Sequence, residues 1–247
     1  MKNDKYENIV AGPCAAENHD QVLTTATLLK EVGITSFRAG LWKPRSSYGT
    51  FEGVGTEGIP WMKEVQELGL KVLTEVALPK HVEAVLKADF DMLWIGARTV
   101  VNPFLMNELA EALKGVQIPI FIKNPMCPDM KLWLGGVERL RAKNVNNLCA
   151  IFRGFCLVDN GPYRNAPLWD YSEKFSSTFP EIPVYCDLSH IAGKRELLLE
   201  LGQEAVKRGF DKFFLESHFN PDIALSDSKQ QLVPADLKIL LDKLLTK

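Results

Sequence analysis

The chain has 247 residues, of which 46% are hydrophobic and 24% are charged, and its formal net charge is −2. These values are typical of a soluble globular protein, and the length suits one domain of about 250 residues or two smaller ones. A near-neutral chain shows no bulk attraction to nucleic acid or to a membrane surface, so we expect neither as a partner. The first residues are polar, and no apolar run reaches the roughly 18 residues that a membrane span needs.

The five cysteines are odd in number and include no Cys-x-x-Cys pair. This pattern favours a reduced protein over a disulfide framework, and we therefore expect a cytoplasmic location. Cys14 belongs to a set of polar residues at the ends of the predicted strands. The remaining cysteines are predicted to be structural: Cys127, Cys149, Cys156 and Cys186.

Short runs of Val, Ile, Leu and Phe alternate with amphipathic stretches along the chain. Nearly continuous apolar runs are typical of strands that are buried on both faces of a parallel sheet. The predicted strands cover residues 9–14, 36–41, 71–76, 92–97, 119–124, 148–153, 183–190 and 212–218. The predicted helices cover residues 21–32, 60–68, 80–88, 103–113, 130–143, 169–177, 193–208 and 234–245.

Eight strand–helix pairs in one run of chain predict an α/β protein with a (β/α)₈ TIM barrel. No Pro/Gly-rich linker or charge block interrupts the run, so we expect a single domain over residues 1–247. A doubly wound open sheet is the alternative. That fold normally carries Gly-x-Gly-x-x-Gly after its first strand, whereas this chain has AGPCAAEN at residues 11–18.

Basic side chains cluster at the predicted carboxyl ends of the strands, where a parallel barrel has its active site. Such cations are held together at low cost only when anions neutralise them. Arginine suits bidentate contact with phosphate or carboxylate, and lysine acts as a point charge, so this set could hold two phosphates and a carboxylate. The alternative for any one of them is a solvated, outward-pointing side chain. The residues are Arg38, Lys43, Arg45, Arg98, Lys123 and Arg153.

A second polar set consists of Cys14, His190 and Glu216, with Asp227 as a further candidate. Thiolate, imidazole and carboxylate groups together bind divalent transition metals. These residues are far apart in sequence, and only barrel closure, which places strand one beside strand eight, would unite them. Taken singly, Cys14 is more often a buried apolar residue and His190 a structural histidine.

Three other histidines show no comparable pattern. His218 alternates with Glu216 along strand eight, so both side chains would face the same way, and the role of His218 stays open. His19 and His81 are predicted to be surface residues of helices.

The polar motifs resemble, in order, those of DAHP synthase (3-deoxy-arabino-heptulosonate 7-phosphate synthase, type I), which shares a superfamily with KDO8P synthase (3-deoxy-manno-octulosonate 8-phosphate synthase). One motif belongs to each strand, and KPRSS and DLSHIAGKR are specific. The segments are AGPC (11–14), RAGLWKPRSS (38–47), TEV (74–76), IGAR (95–98), IKN (122–124), RG (153–154), CDLSHIAGKRE (186–196), LESH (215–218) and LSD (225–227).

The resemblance implies a metal-dependent transferase that joins phosphoenolpyruvate to erythrose 4-phosphate, the first step of the shikimate pathway to chorismate and the aromatic amino acids. One divalent ion of the Mn, Fe, Co or Zn type would be held by Cys14, His190, Glu216 and Asp227. Phosphoenolpyruvate would be held by Arg38, Lys43, Arg98, Lys123 and Arg153, with Glu75 nearby. Erythrose 4-phosphate would be held by the loop with Pro44, Arg45 and Ser46. Lys43 or Lys123 would relay a proton.

The nearest alternative is KDO8P synthase, which uses arabinose 5-phosphate and whose loop usually reads Lys-Ala-Asn-Arg-Ser-Ser. Here Lys43-Pro44-Arg45 lacks that asparagine. The chain also departs from many DAHP synthases at Phe152, where a charged residue is common, and in the IKNP sequence after strand five. A non-catalytic barrel that senses phosphosugars is the alternative from another class.

The resemblance also implies a homo-oligomer, either a dimer or a tetramer. Some relatives carry an N-terminal regulatory domain or a C-terminal chorismate mutase domain. This chain resembles the bare catalytic barrel, and its last helix could begin a linker to a fused chorismate mutase domain.

Overall fold

The computed structural model describes residues 4–45 and 47–245. Eight parallel strands form a closed barrel in chain order. The predicted (β/α)₈ fold is confirmed, and an open sheet is excluded because Gly12 of the first strand pairs with Glu216 of the last. The strands are β1 (Ile9–Gly12), β2 (Ser36–Arg38), β3 (Lys71–Val76), β4 (Met92–Ile95), β5 (Ile120–Lys123), β6 (Leu148–Phe152), β7 (Val184–Cys186) and β8 (Phe213–Glu216).

The helices begin at the caps and prolines that the sequence supplies. Side chains of Asn18, Asn102 and Asp129 accept hydrogen bonds from the backbone N–H groups that open three of them. Proline occupies the first turn of four, where no N–H donor is required. The helices in the described ranges are α1 (His19–Glu31), α2 (Ile59–Glu67), α3 (Pro79–Lys87), α4 (Pro103–Ala112), α5 (Met130–Arg141), α6 (Trp169–Thr178), α7 (Leu188–Ala192), α8 (Leu198–Lys207) and α9 (Pro234–Leu245).

The structure corrects the prediction around the seventh strand. The predicted strand over residues 183–190 ends at Cys186, because the Asp187 side chain accepts the backbone N–H of His190 and starts α7. Gly193, at φ 70°, ends that short helix. The single helix predicted over residues 193–208 is instead a 3₁₀ turn at Arg195–Leu197 followed by α8.

Two apolar layers hold the barrel together. One fills its interior, where Phe214 contacts Trp94 and Phe121 at ring-centroid distances of 5.5 and 6.3 Å. The other lies between strands and helices and includes Trp133 stacked on Phe175 at 4.1 Å. Because aromatic rings fill the interior, polar groups above them are confined to the carboxyl ends of the strands.

The sequence predictions for three residues are wrong. His81 was expected on the surface, but it is buried and stacks on Trp42 at 4.2 Å, because α3 packs beside the loop that follows β2. Cys127 and Cys156 are exposed and take no part in the core, whereas Cys149 and Cys186 are buried as structural cysteines should be. His19 is exposed, as predicted.

Within the two described ranges, no helix combines the length and the apolar character that a bilayer crossing needs.

Candidate active site

A cavity of about 210 Å³ opens at the carboxyl ends of the strands. It brings together residues from the loops after β2, β4, β6 and β8 with the ends of β3 and β5 and with α7. The predicted site residues that line it are Lys43, Pro44, Arg45, Glu75, Arg98, Lys123, Arg153, His190 and Asp227. Ser46 lies outside the described residues.

A cluster of sulfur, nitrogen and oxygen donors lies where β1 meets β8. Ligand atoms of Cys14, Glu216 and Asp227 are within 4.8 Å of one another, and Cys14 Sγ is 3.3 Å from Asp227 Oδ2. His190 Nε2 approaches the cluster, at 3.7 Å from Glu216 Oε1 and 4.0 Å from Asp227 Oδ2. Barrel closure therefore brings together the four residues that the sequence pattern grouped.

Asp187 fixes the orientation of the His190 ring. Its Oδ1 and Oδ2 atoms lie 3.0 and 2.8 Å from His190 Nδ1, so Nδ1 carries the proton that it donates to the carboxylate. Burial lowers the pKa of His190, which leaves the ring neutral and the Nε2 lone pair directed at the cluster. A carboxylate behind a ligating histidine is the usual support of a metal site, and this donor set fits a divalent transition metal.

The charges in the cluster are arranged for a cation. Burial, and then the Glu216 carboxylate, raises the pKa of the Cys14 thiol to about 12, so the thiol donates to Asp227. Burial alone would raise the pKa of Asp227, but His190 and Arg164 outweigh it and hold the carboxyl well below its usual range. A bound divalent ion would take the place of the thiol proton.

The opposite wall of the cavity is basic. Lys123 Nζ donates to Asp187 Oδ2 at 2.9 Å, and Lys43 Nζ donates to the Cys14 carbonyl at 3.0 Å. Burial lowers the pKa of Lys123 and lowers that of Arg153 to about 10, so Arg153 stays cationic at neutral pH. These cations adjoin the donor cluster directly, since Asp187 contacts both sets.

Arg38 occupies a different place from the other predicted basic residues. It is completely buried beneath the cavity, with its guanidinium over Trp94 and Phe214, and does not line the cavity wall. Its Nη2 donates to Glu216 Oε1 at 3.1 Å. Its Nε and Nη1 have no hydrogen-bond partner among the described residues.

Two loop features shape the rest of the site. Arg45 Nε donates to the Phe51 carbonyl at 2.8 Å, which ties Arg45 to a later position of the chain between β2 and α2. Glu75 reaches the cavity because residue 96 is a glycine: a Cβ there would lie 1.9 Å from Glu75 Oε1. The glycine of the IGAR motif therefore makes room for this carboxylate.

Three further residues of the site were not predicted from the sequence: Arg164, Asn165 and Gln230. Arg164 Nη1 donates to Asp227 Oδ1 at 3.0 Å and to Gln230 Oε1 at 2.7 Å, and Gln230 Nε2 donates to Glu216 Oε2 at 2.6 Å. Asn165 donates to the His190 carbonyl at 2.6 Å. The available signal was the long irregular segment between β6 and α6, since such loops are commonly functional.

Comparison with known proteins places the chain in a family. The sequence model described as the DAHP synthetase I family matches residues 2–246. The chain belongs to the DAHP synthetase I family. This membership agrees with the resemblance of the motifs at the strand ends. The relatives of this chain are enzymes.

Curated relatives of this chain carry two different enzyme names. A "phospho-2-dehydro-3-deoxyheptonate aldolase" of Thermotoga maritima is 28% identical over 92% of the chain, which spans 65% of that relative's length. A "2-dehydro-3-deoxyphosphooctonate aldolase" of a Synechococcus strain is 30% identical over 96% of the chain and 87% of the relative.

Solved structures of two similar proteins have the same fold as this chain. The crystal structure of a DAHP synthase from Thermotoga maritima superposes with a TM-score of 0.84 at 26% identity, covering 96% of this chain and 68% of that one. A truncated form of the Thermotoga maritima 3-deoxy-D-arabino-heptulosonate 7-phosphate synthase gives a TM-score of 0.81 at 25% identity, covering 96% and 84%.

Proposed function

We propose that the chain condenses phosphoenolpyruvate with erythrose 4-phosphate and water, giving 3-deoxy-arabino-heptulosonate 7-phosphate and inorganic phosphate. This is the first step of the shikimate pathway. The observation that carries the proposal is one cavity in which a basic wall adjoins a donor cluster built from Cys14, His190, Glu216 and Asp227. Membership of the DAHP synthetase I family supports it.

The donor cluster would hold one divalent ion through those four side chains. Such an ion supplies a Lewis acid that polarises an aldehyde oxygen. The donor cluster lies against the basic wall, and this arrangement suits a phosphorylated aldehyde. The carbonyl end of such a substrate is uncharged, whereas its phosphate is anionic. Asp187 keeps the His190 ring in the tautomer that this binding needs.

The basic wall would bind phosphoenolpyruvate. Lys43, Arg98, Lys123 and Arg153 neutralise its phosphate and carboxylate, which lets a second phosphorylated reactant approach in spite of charge repulsion. Arg38 supports the same assignment from below, because two of its buried guanidinium nitrogens have no hydrogen-bond partner in the described part of the chain, a desolvation cost that an anion would remove. Arg45 and Ser46 of the KPRSS loop would take the aldehyde's phosphate.

The proposed reaction uses these residues. The enol carbon of phosphoenolpyruvate attacks the aldehyde carbon, and the aldehyde oxygen takes a proton from Lys43 or Lys123. Water adds at the neighbouring carbon and gives one proton to a base. The bond from that carbon to the phosphate oxygen then breaks, inorganic phosphate leaves, and the new hydroxyl gives up the second proton to form the keto group. Glu75, which lines the cavity, would act as the base that takes a proton from this water.

The second candidate is KDO8P synthase chemistry, with arabinose 5-phosphate as the aldehyde. Its support is the 30% identity to the 2-dehydro-3-deoxyphosphooctonate aldolase over most of both chains. The sequence Lys43-Pro44-Arg45 argues for erythrose 4-phosphate, because the loop lacks the asparagine usual in KDO8P synthases.

A paired-aldehyde assay tests the proposal. Phosphate release from phosphoenolpyruvate is measured with erythrose 4-phosphate and with arabinose 5-phosphate, after chelation and after addition of Mn²⁺, Fe²⁺, Co²⁺ or Zn²⁺. We expect turnover with erythrose 4-phosphate that disappears with chelator. Preference for arabinose 5-phosphate would favour the second candidate, and no release with either aldehyde would favour a phosphosugar-sensing barrel.

The wider expectations belong to the same proposal. We propose that residues 1–247 act as one catalytic barrel, that the protein works in the cytoplasm and that it assembles as a dimer or tetramer. Light scattering coupled to gel filtration measures the assembly directly.

A further inference from the structure

The GKR segment after α7 resembles its family counterpart but has no part in the chemistry proposed above. Its arginine, Arg195, lies outside the cavity and still contacts the loop that supplies Asp227. Arg195 Nε donates to the Gln231 carbonyl at 2.7 Å, and Nη2 donates to the Ser228 carbonyl at 2.8 Å. The Arg195 backbone N–H donates to the Lys229 carbonyl at 3.1 Å. One residue thus binds three carbonyls within four consecutive loop positions.

The loop held in this way supplies one member of the donor cluster, Asp227, and forms hydrogen bonds with two others. Gln230 donates to Glu216 Oε2, and the Gln231 side chain accepts the Cys14 backbone N–H at 3.0 Å. Asp227 itself lies 3.3 Å from Cys14 Sγ. A shift of the loop would therefore move Asp227 and would release the contacts that hold Cys14 and Glu216.

Asp227 also needs external support for its backbone. Its φ of 51° lies in the left-handed region, which residues other than glycine adopt at a cost, although aspartate tolerates it better than most. Such a conformation persists when the surrounding contacts over-determine it. The hydrogen bond from Arg195 to the carbonyl of Ser228, the next residue, supplies one of these contacts.

A planar guanidinium suits this task, because its fixed fork directs separate N–H groups at separate acceptors. Asp222 Oδ1 accepts from the same Nη2 at 2.9 Å and helps to orient the fork. A lysine would keep the charge but could not direct donors at both carbonyls.

We propose that Arg195 is a positioning residue that holds the loop of residues 227–231 in the conformation that binds a divalent cation. The proposal rests on the proposed metal site. Contacts that support metal ligands from outside commonly change metal affinity by about 10–100-fold when they are removed.

The test measures cobalt binding by the metal-free protein, with the charge-transfer absorption between the Cys14 thiolate and Co²⁺ as the signal. Variants R195Q and R195K are compared with R208Q, since Arg208 forms ordinary surface ion pairs with Glu173 and Glu204. We expect R195Q to weaken cobalt affinity at least about tenfold, R195K to weaken it measurably, and R208Q to leave it unchanged. Hydrogen exchange of residues 226–231 in the metal-free protein should quicken only in the Arg195 variants.

The outcomes separate this inference from the proposed function. Cobalt binding by the unchanged protein, together with wild-type affinity in both Arg195 variants, would overturn the positioning role alone. If the unchanged protein shows no Cys14-dependent cobalt signal, the proposed metal site fails and the inference fails with it. R195K keeps the charge and most of the side chain, so it answers the question if R195Q does not fold.

Discussion

Asp187 lies 2.8 Å from His190 Nδ1 and at the same time 2.9 Å from Lys123 Nζ. This completely buried carboxylate is therefore the contact between the donor cluster and the basic wall. Burial would raise the pKa of Asp187, but His190 and Lys123 outweigh it and hold the carboxyl well below its usual range. One anion therefore keeps the His190 ring and the buried Lys123 side chain in place.

Replacement of Asp187 by asparagine should weaken divalent-cation binding by about 10–100-fold, because the amide cannot fix the His190 tautomer in the same way. Phosphoenolpyruvate binding should weaken as well, since burial lowers the pKa of Lys123 and the change removes the carboxylate that supports its charge. Isothermal titration with Mn²⁺ and with phosphoenolpyruvate measures both affinities. Asp211→Asn serves as the control, because Asp211 pairs with Lys212 on the surface. Unchanged Mn²⁺ affinity in Asp187→Asn would contradict the role given to this carboxylate.

Replacement of Cys14 by serine or alanine should abolish cation-dependent turnover, because either change removes the sulfur donor from the cluster. The matched control is Cys149→Ser, since Cys149 is buried inside the barrel in an apolar cluster away from those donors. Phosphate release with and without added metal measures the effect. Full activity of chelator-treated Cys14→Ala would remove the sulfur from the proposed mechanism.

His81 should make the protein less stable as the pH falls. Burial lowers its pKa from 6.5 to about 4, so the unfolded chain binds a proton that the folded protein resists. The contribution is fully present above pH 6.5 and is lost as the pH falls towards 4, with a slope of at most about 1.4 kcal/mol per pH unit. Urea unfolding between pH 7 and 4 should show a shallower loss for His81→Gln than for the unchanged protein.

His19 supplies a control of opposite sign. Hydrogen bonds to Glu64 and Asp20 raise its pKa, so its contribution is present below pH 6.5 and is lost as the pH rises through the raised value. His19→Gln should therefore leave the acid-side loss in place. Parallel pH profiles for His81→Gln and the unchanged protein would show that His81 titrates normally in the folded state.

Gly12 should be among the least replaceable residues of the barrel. Its φ is 153°, and a Cβ there would lie 2.0 Å from the Arg38 carbonyl oxygen in the neighbouring strand. Gly209, at φ 87° with nothing within 4 Å of a built Cβ, has the backbone cost alone. Chemical unfolding should show a loss of about 1–3 kcal/mol for Gly209→Ala and a clearly larger loss for Gly12→Ala. Equal losses of unfolding free energy in the two variants would mean that β1 and β2 move apart around the added Cβ of residue 12 without an energetic cost.

The barrel class was predictable because it depends on local patterns. Apolar runs of strand length alternate with capped amphipathic segments, and these periodicities follow from backbone geometry alone. The grouping of Cys14 with Glu216 was predictable for the same reason, since strand ends converge once the order of the strands is known. The resemblance to a family then supplied roles that periodicity does not contain.

Side-chain partners were decided only by the tertiary structure. Nothing in the pattern around Arg38 shows that it is buried against Glu216, or that His81 stacks on Trp42. The contacts of Arg164 and Arg195 with the Asp227 loop join segments that are distant along the chain. Sequence periodicity reports which face of an element is apolar, whereas the partner of a polar group depends on how loops from different strands meet in space.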